Sequence, residues 1–314
     1  MSETTTPKAK SALDEADAVA GPSETRKLSR KEQRSVDAKT RLASPWASGF
    51  ALVLAILWSV PTFGLFVSSF RPERAIKTEG WWTFFSNPEV SLENYDAVLN
   101  GNTDFAGAFL NTVVITIPAV VIPITLALLA AYAFAWMDFK GRNFLFVAVF
   151  ALQVVPIQIA LIPLLTQYVN FGIDSSLWVL WLSHSIFALP LAIFLLHNFM
   201  MDIPRSLIEA ARVDGAGHVK IFFQVLLPLL VPAIASFSIF QFLWVWNDLL
   251  IALTFAGPDL APLTLKIGDL AGSRGSEWQL LSAGAFIAMV VPLAVFLGLQ
   301  RFFVRGLLAG GVKG

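Results

Sequence analysis

Six apolar segments settle most of what this chain can fold into. They run roughly over residues 47–70, 106–136, 143–168, 176–200, 226–256 and 279–300. Each reaches the ~20 residues that a helix needs to cross the hydrocarbon of a bilayer. No water is available there to pair with the backbone, so N–H and C=O must pair within each segment, which makes the segments helices. The fold class expected is an all-α membrane protein with six transmembrane helices. The second and fifth segments exceed what a span requires, so they tilt or continue beyond the membrane. Proline interrupts several of them, at Pro118, Pro123, Pro156, Pro163, Pro190, Pro232 and Pro292. A helix bundle tolerates these as kinks, which bend helices around a path or simply serve packing.

Composition agrees and removes other classes. Of 314 residues 56% are hydrophobic and only 14% charged, less charge than a soluble domain carries. Formal net charge is zero, so there is no basic footprint for nucleic acid. The chain has no cysteine, which excludes disulfides and thiolate metal sites. It has neither a Walker A sequence nor an HExxH zinc motif, and His184, His197 and His218 show no ligand spacing. No metal and no cofactor are therefore expected in this chain; ATP, if it drives the protein, is bound by another. Residues 1–45 are polar with interspersed charge and carry no apolar signal core, so they read as a cytoplasmic tail without a stable fold. With the N-terminus inside, seventeen Lys and Arg fall on the inner side and five on the outer: Arg71, Arg74, Lys77, Lys266 and Arg274. Without the tail the balance is still eight to five, which favours both termini in the cytoplasm.

One polar stretch separates the fourth and fifth segments: Asp202-Ile203-Pro204-Arg205-Ser206-Leu207-Ile208-Glu209-Ala210-Ala211-Arg212-Val213-Asp214-Gly215-Ala216-Gly217. Pro204 suits a first helical position, where its missing N–H would be unpaired anyway. Gly215 suits the position after a helix end, where φ is often positive. The expectation is a short helix over 204–214. Arg205, Glu209 and Arg212 share one side of it by i, i+4 and i+3 spacing. Ala210 and Ala211 leave a smooth patch open to another protein. A second short helix is expected from His218 towards Leu227-Pro228.

Glu209-Ala210-Ala211, Gly215, Val225 and Leu227-Pro228 together resemble the EAA loop of permease subunits of ABC importers, which usually has Ile where this chain has Val225. The end of the chain, Arg301-Phe302-Phe303-Val304-Arg305-Gly306-Leu307-Leu308-Ala309-Gly310-Gly311-Val312-Lys313-Gly314, is similar to the close of the smaller permease of maltose-type importers. The resemblance covers nearly everything after the tail. It implies the type I ABC importer permease fold over 46–314, in a multi-pass protein of a prokaryotic inner or plasma membrane, with a cytoplasmic coupling loop over 202–228. Glu209, Ala210, Ala211, Asp214 and Gly215 would then couple this chain to an ATPase. The implied partners are a second, different permease, two ATPase subunits that bind ATP and Mg, an external sugar-binding protein and membrane lipid. The implied solute is a sugar, with α-glucosides such as maltose or trehalose favoured. An importer of a non-sugar solute and an ion-driven carrier are the alternatives. A carrier should show charge clusters within the membrane and internal repeats; this chain has one acid well inside an apolar segment and no evident repeat.

That acid is Asp248, in Trp244-Val245-Trp246-Asn247-Asp248, a run that looks like the sugar-permease branch. An ionisable group at that depth faces a cavity or a partner, unless it lies close enough to the outer interface to be hydrated. Trp244, Asn247 and Asp248 are accordingly candidates for the translocation path. Of the external segments, 71–105 carries Trp81-Trp82 and Phe84-Phe85, a headgroup belt or a docking surface. Segment 257–278 holds Gly272-Ser273-Arg274-Gly275, expected as a mobile loop tip. By the maltose-type resemblance this loop would enter the binding protein's cleft.

Overall fold

The computed structural model describes residues 45–101, 104–270 and 277–311, with side chains as far as Gln300. Most of the expected tail and the whole Gly272-Ser273-Arg274-Gly275 run lie outside the described residues. Among the described residues every regular element is helical. The order is α1 (Pro45–Phe70), α2 (Glu73–Thr78), a 3-10 turn (Trp81–Phe85), α3 (Glu93–Asn100), α4 (Phe105–Trp136), α5 (Arg142–Ala151) and α6 (Ile157–Asn170). There follow α7 (Leu177–Met201), α8 (Arg205–Val213), α9 (His218–Trp246), α10 (Leu250–Phe255), α11 (Leu263–Leu270) and α12 (Trp278–Gly311). Five of these, α1, α4, α7, α9 and α12, are long and apolar enough to cross a membrane.

The third apolar segment bends more sharply than the kink expected from its prolines. Its two halves, Arg142–Val154 and Ile157–Asn170, meet at 102°, so they form either one broken span or a re-entrant pair. Pro156 supplies the cause. Its ring pushes the residue before it out of the helical region, and Val155 lies at φ −70°, ψ 120°. The fifth segment also differs. The short helix expected after His218 does not stand alone: it runs through a π turn at Ile221–Leu226 into α9. The π turn lies just before Pro228 and Pro232, whose missing N–H groups would interrupt a regular ladder. At its far end α9 stops at Trp246, and the remainder of the segment forms the separate α10.

Contacts divide the chain at Thr62. Up to there α1 exposes Trp46, Leu57 and Trp58, as a lipid-facing surface does. In the unit that begins at Phe63, α4 and α7 form the central pair, α9 packs on both, and α12 packs on α9. Ala119, Ala127 and Ala131 of α4 and Ala188 and Ala192 of α7 are all buried. Small side chains let two backbones approach closely, which is the main source of attraction between helices in lipid. One end of α4 is packed by Val98, Phe105, Trp246 and Leu263, the other by Phe134, Met200, Ile208 and Phe222.

Candidate functional site

The polar stretch after α7 folds back onto the core. Helix α8 starts after Pro204, which sits at φ −57°, ψ 129° just outside the helix and not in its first turn. Its end is a left-handed cap. Gly215 has φ +80°, its N–H donates to the Arg212 carbonyl at 3.0 Å, and the Ala216 N–H donates to the Ala211 carbonyl at 2.9 Å. This pair of bonds satisfies carbonyls that a helix end would leave open, and it needs a residue without a Cβ. Ile208 is the anchor, 2% exposed among Met200, Ile221 and Phe222. Ala211 turns inward with it and packs on the same core, while Ala210 is exposed. The smooth patch expected from both alanines is therefore halved.

Arg205, Glu209 and Arg212 do share one side of α8, and that side borders a cavity of about 490 Å³ closed by Trp136, Asp138, Arg142, Asn143 and His197. Asp214 lies at the exposed end of the helix. Just beyond the cap, the Tyr132 hydroxyl of α4 meets His218 Nδ1 at 2.7 Å, and the Tyr132 ring stands edge-on to His218 and Phe222. This contact joins the start of α9 to α4. It spans 86 residues of sequence, and nothing in the spacing of the three histidines announces it.

The other end of α4 is organised by a residue that the sequence presents only as an external charge. Arg71 is fully buried. It donates to the Gly80 carbonyl and Thr83 Oγ1, each at 2.8 Å, and to Glu79 at 3.2 Å. Its own carbonyl accepts from Asn94, which also reaches the Ser69 carbonyl. Glu79 is held below the usual carboxylate range, first by the Thr83 hydroxyl and then by Arg71. Lys77 is held charged by its contact with Glu73, and lies 3.6 Å from Glu277 at the start of α12. The two tryptophans of this segment divide. Trp81 packs against Gly64, where an added Cβ would lie 2.8 Å from its indole nitrogen, while Trp82 stays exposed.

Trp244, Asn247 and Asp248 are not brought to one place. Asn247 is exposed and donates to the Leu243 carbonyl. Asp248 is not deep within a span: it sits in the break after α9 and caps α10, accepting from the Ile251 and Ala252 N–H groups at 3.3 and 3.1 Å. Its carbonyl accepts from Thr264, and its carboxylate lies 4.0 Å from His184 Nε2. Free N–H groups at the new helix start supply the pairing that its depth seemed to deny it. Trp244 instead lines a cavity of about 450 Å³ beside the bend at Pro156. The segment after α10 is more ordered than a plain loop. Asn111 of α4 donates to the Asp259 and Ala261 carbonyls, and Thr112 accepts from the Leu263 N–H.

A bundle of apolar helices with a capped polar helix fastened to one end is the build of a membrane transport subunit. The chain belongs to the family of binding-protein-dependent transport system inner membrane components, which it matches over residues 123–308. It is 53% identical to an osmoprotective compounds uptake permease protein (GgtD) of Synechocystis sp. over 83% of this chain and 90% of that one. It is 49% identical to an alpha-glucoside transport system permease protein (AglG) of Rhizobium meliloti over 79% of this chain and 67% of that one. A crystal structure of a bacterial ABC transporter that imports the acidic polysaccharide alginate aligns with a TM-score of 0.66 over 89% of this chain and 100% of that chain. At 19% identity that likeness shows the fold. The polar stretch 202–217 falls inside the matched range, and the fully buried Arg71 falls before it.

Proposed function

We propose that this chain is one permease subunit of an ATP-driven importer that takes sugars, α-glucosides above all, from an external binding protein. The observation that carries the reading is the fastening of α8. Ile208 ties the helix to the core formed by α4, α7 and α9, so a displacement of its exposed residues is passed to the spanning helices. In this reading α8 docks on an ATPase subunit, with Glu209, Ala210 and Asp214 within reach of it and Ala211 and Gly215 holding the geometry. A second permease completes the path, and two ATPase subunits bind the ATP and Mg. The chain sits in a prokaryotic inner membrane with α8 and both termini in the cytoplasm, which the Lys and Arg balance supports. Residues 1–45 form a tail, 46–314 the permease domain, and Gly272-Ser273-Arg274-Gly275 contact the binding protein. A relative named for alpha-glucoside transport at 49% identity supports the substrate class.

The mechanism is alternating access. Closure of the ATPase pair draws the α8 helices together and opens the path outward; hydrolysis returns it inward. Coupling requires that ATP and the loaded binding protein each favour one of the two states. The test is uptake of maltose and trehalose into proteoliposomes holding the complete complex. Uptake is expected to need both ATP and the binding protein. Uptake driven by an ion gradient without ATP would overturn the reading.

A further inference from the structure

The cavity beside α8 sits where two spans end. Helix α4 stops at Trp136 and α7 at Met201, and both residues line it. Tryptophan at the end of a span marks the headgroup level. The walls gather cations from two directions: Arg142 from the start of α5, Arg205 and Arg212 from α8. Two acids share these walls. Asp138 is already taken, since its carboxylate accepts from Arg142 at 3.0 Å. Glu209 lies one turn from Arg205 and one turn from Arg212, yet none of these three has an ion-pair partner among the described residues. A more open hollow of about 520 Å³ shares Asp138, Arg142 and Asn143 with this cavity and adds Lys140 and Phe144. Together they set four cationic side chains against two carboxylates, so the surface keeps a positive excess.

Two polar atoms of the wall residues, Trp136 Nε1 and His197 Nδ1, are buried without a hydrogen-bond partner among the described residues. Native structures leave few such atoms unpaired, and a bound group is one of the few causes. An indole N–H and guanidinium groups donate and do not accept, so they suit a group made of acceptor oxygens with negative charge. A phosphodiester is such a group, and guanidinium holds phosphate oxygens in pairs. The rim indicates its source. Among the described residues no side chain of α5 is buried, and Phe144 and Val147, one turn apart, are both exposed, Phe144 to 79%. An apolar strip leading out of a cationic cavity at headgroup level fits a molecule with a charged head and acyl chains. A soluble phosphate has no part that uses the strip. Basic pockets between the ends of spans hold lipid headgroups in this way.

We propose that this cavity binds the headgroup of an acidic phospholipid, which bridges Arg142 of α5 to Arg205 and Arg212 of α8 while its acyl chains lie along Phe144 and Val147. The lipid then ties α8 to the ends of the spans in addition to Ile208, and membrane charge sets how firmly the helix is held. The proposal goes beyond the importer reading and does not depend on the solute. It is tested on the complete complex in three settings: nanodiscs of phosphatidylcholine alone, nanodiscs of an equal mixture with phosphatidylglycerol, and phosphatidylcholine nanodiscs in buffer with inorganic phosphate. Hydrogen exchange over Arg205–Val213 should slow in the mixture only. Native mass spectrometry of the complex titrated with phosphatidylglycerol in detergent supplies the affinity. Arg205→Gln combined with Arg212→Gln removes two exposed side chains that hold no ion pair, so no ion pair within the chain is lost. Affinity should fall about fivefold for each arginine and about twenty-five-fold for both. Trp136→Phe keeps a ring, drops the indole N–H and should give a smaller fall from a residue outside α8. Lys220→Gln removes an exposed charge that does not line the cavity and should leave both readouts unchanged. Equal slowing by inorganic phosphate would overturn the lipid assignment in favour of a soluble anion. Slowing that survives in the arginine variant, or that Lys220→Gln also removes, would overturn the site in favour of general surface charge. No slowing in the parent would overturn the proposal outright.

Discussion

The two ends of α4 are held by different chemistry. At the end near Phe105 a fully buried guanidinium binds a turn and a carboxylate through side-chain hydrogen bonds, and Asn94 of α3 donates to the Arg71 backbone carbonyl. At the end near Phe134 a nine-residue helix is held by one buried isoleucine, an inward-facing alanine, a glycine cap and one long-range side-chain bond. Removing the partners of a buried charge destabilises strongly, so the first arrangement resists opening, although Arg71 Nε has no partner among the described residues. The second leaves Arg205, Glu209, Arg212 and Asp214 to solvent or a partner and can be moved as a unit. The difference sets a segment pinned by side-chain hydrogen bonds against a helix held by a few apolar contacts and its cap.

The largest effect is therefore expected at Arg71. Arg71→Ala removes donors from the Gly80 carbonyl and Thr83 and leaves a void. Breaking a buried charged network costs about 3–5 kcal/mol, and the exposure of the Glu79 partner puts this case near about 3. Thermal unfolding in detergent should show the loss, and limited proteolysis should open residues 71–101 first. Arg71→Lys should recover only a part, since an ammonium cannot hold the same fork. A stable Arg71→Ala protein with a protected outer segment would erase the contrast between the two ends.

Ile208→Ala comes next. Truncating a buried isoleucine costs 2–5 kcal/mol, and at the rim of the core the low end, about 2, is expected. The loss should be local: uptake and ATPase association fall while the outer segment keeps its protease resistance. Gly215→Val forces a β-branched residue to φ +80°, a strain of roughly 1–2 kcal/mol. Nothing lies within 4 Å of the added Cβ, so any defect measures the strain of the cap and not a clash. Transport should fall while the protein still inserts. Tyr132→Phe removes the bond to His218 and should cost about 1 kcal/mol, seen as faster hydrogen exchange in α8 with none in α3.

Much of this was legible before any coordinates. The apolar segments place α1, α4, α7 and α12 to within a residue or two at most ends, because hydropathy in lipid is a strong and local signal. Helix α8 and its glycine cap were readable from Pro204 and Gly215 for the same reason: capping chemistry is local. Less legible is which interruption is a kink and which a break. Val155-Pro156 and Asn247-Asp248 break two of the apolar runs, yet Pro118, Pro123, Pro163 and Pro190 sit within continuous helices. The sequence does not separate a kink from a break, since packing decides which proline is accommodated. Arg71 and the Tyr132–His218 pair escape such a reading because their partners are unremarkable or distant: a glycine carbonyl and a threonine for Arg71, and a separation of 86 residues for the pair.

The smallest effect sharpens the comparison from the Arg71 side alone. Glu79 is exposed, but Thr83 and Arg71 hold its carboxyl below the ordinary value of 4.5. A carboxylate whose folded pKa is depressed contributes stability above the unfolded value and loses it as pH falls through the folded one. The Arg71 cluster should thus be unchanged from neutral pH down to about pH 5 and weaken in more acidic buffer. Glu79→Gln keeps acceptors for Arg71 and Thr83 but no longer titrates there, so it should flatten this part of the profile. The measurement is the unfolding temperature of parent and variant in detergent between neutral pH and the acid limit, paired with proteolysis of residues 71–101. Parallel acid profiles for parent and Glu79→Gln would mean that Arg71 is held by Gly80, Thr83 and burial alone.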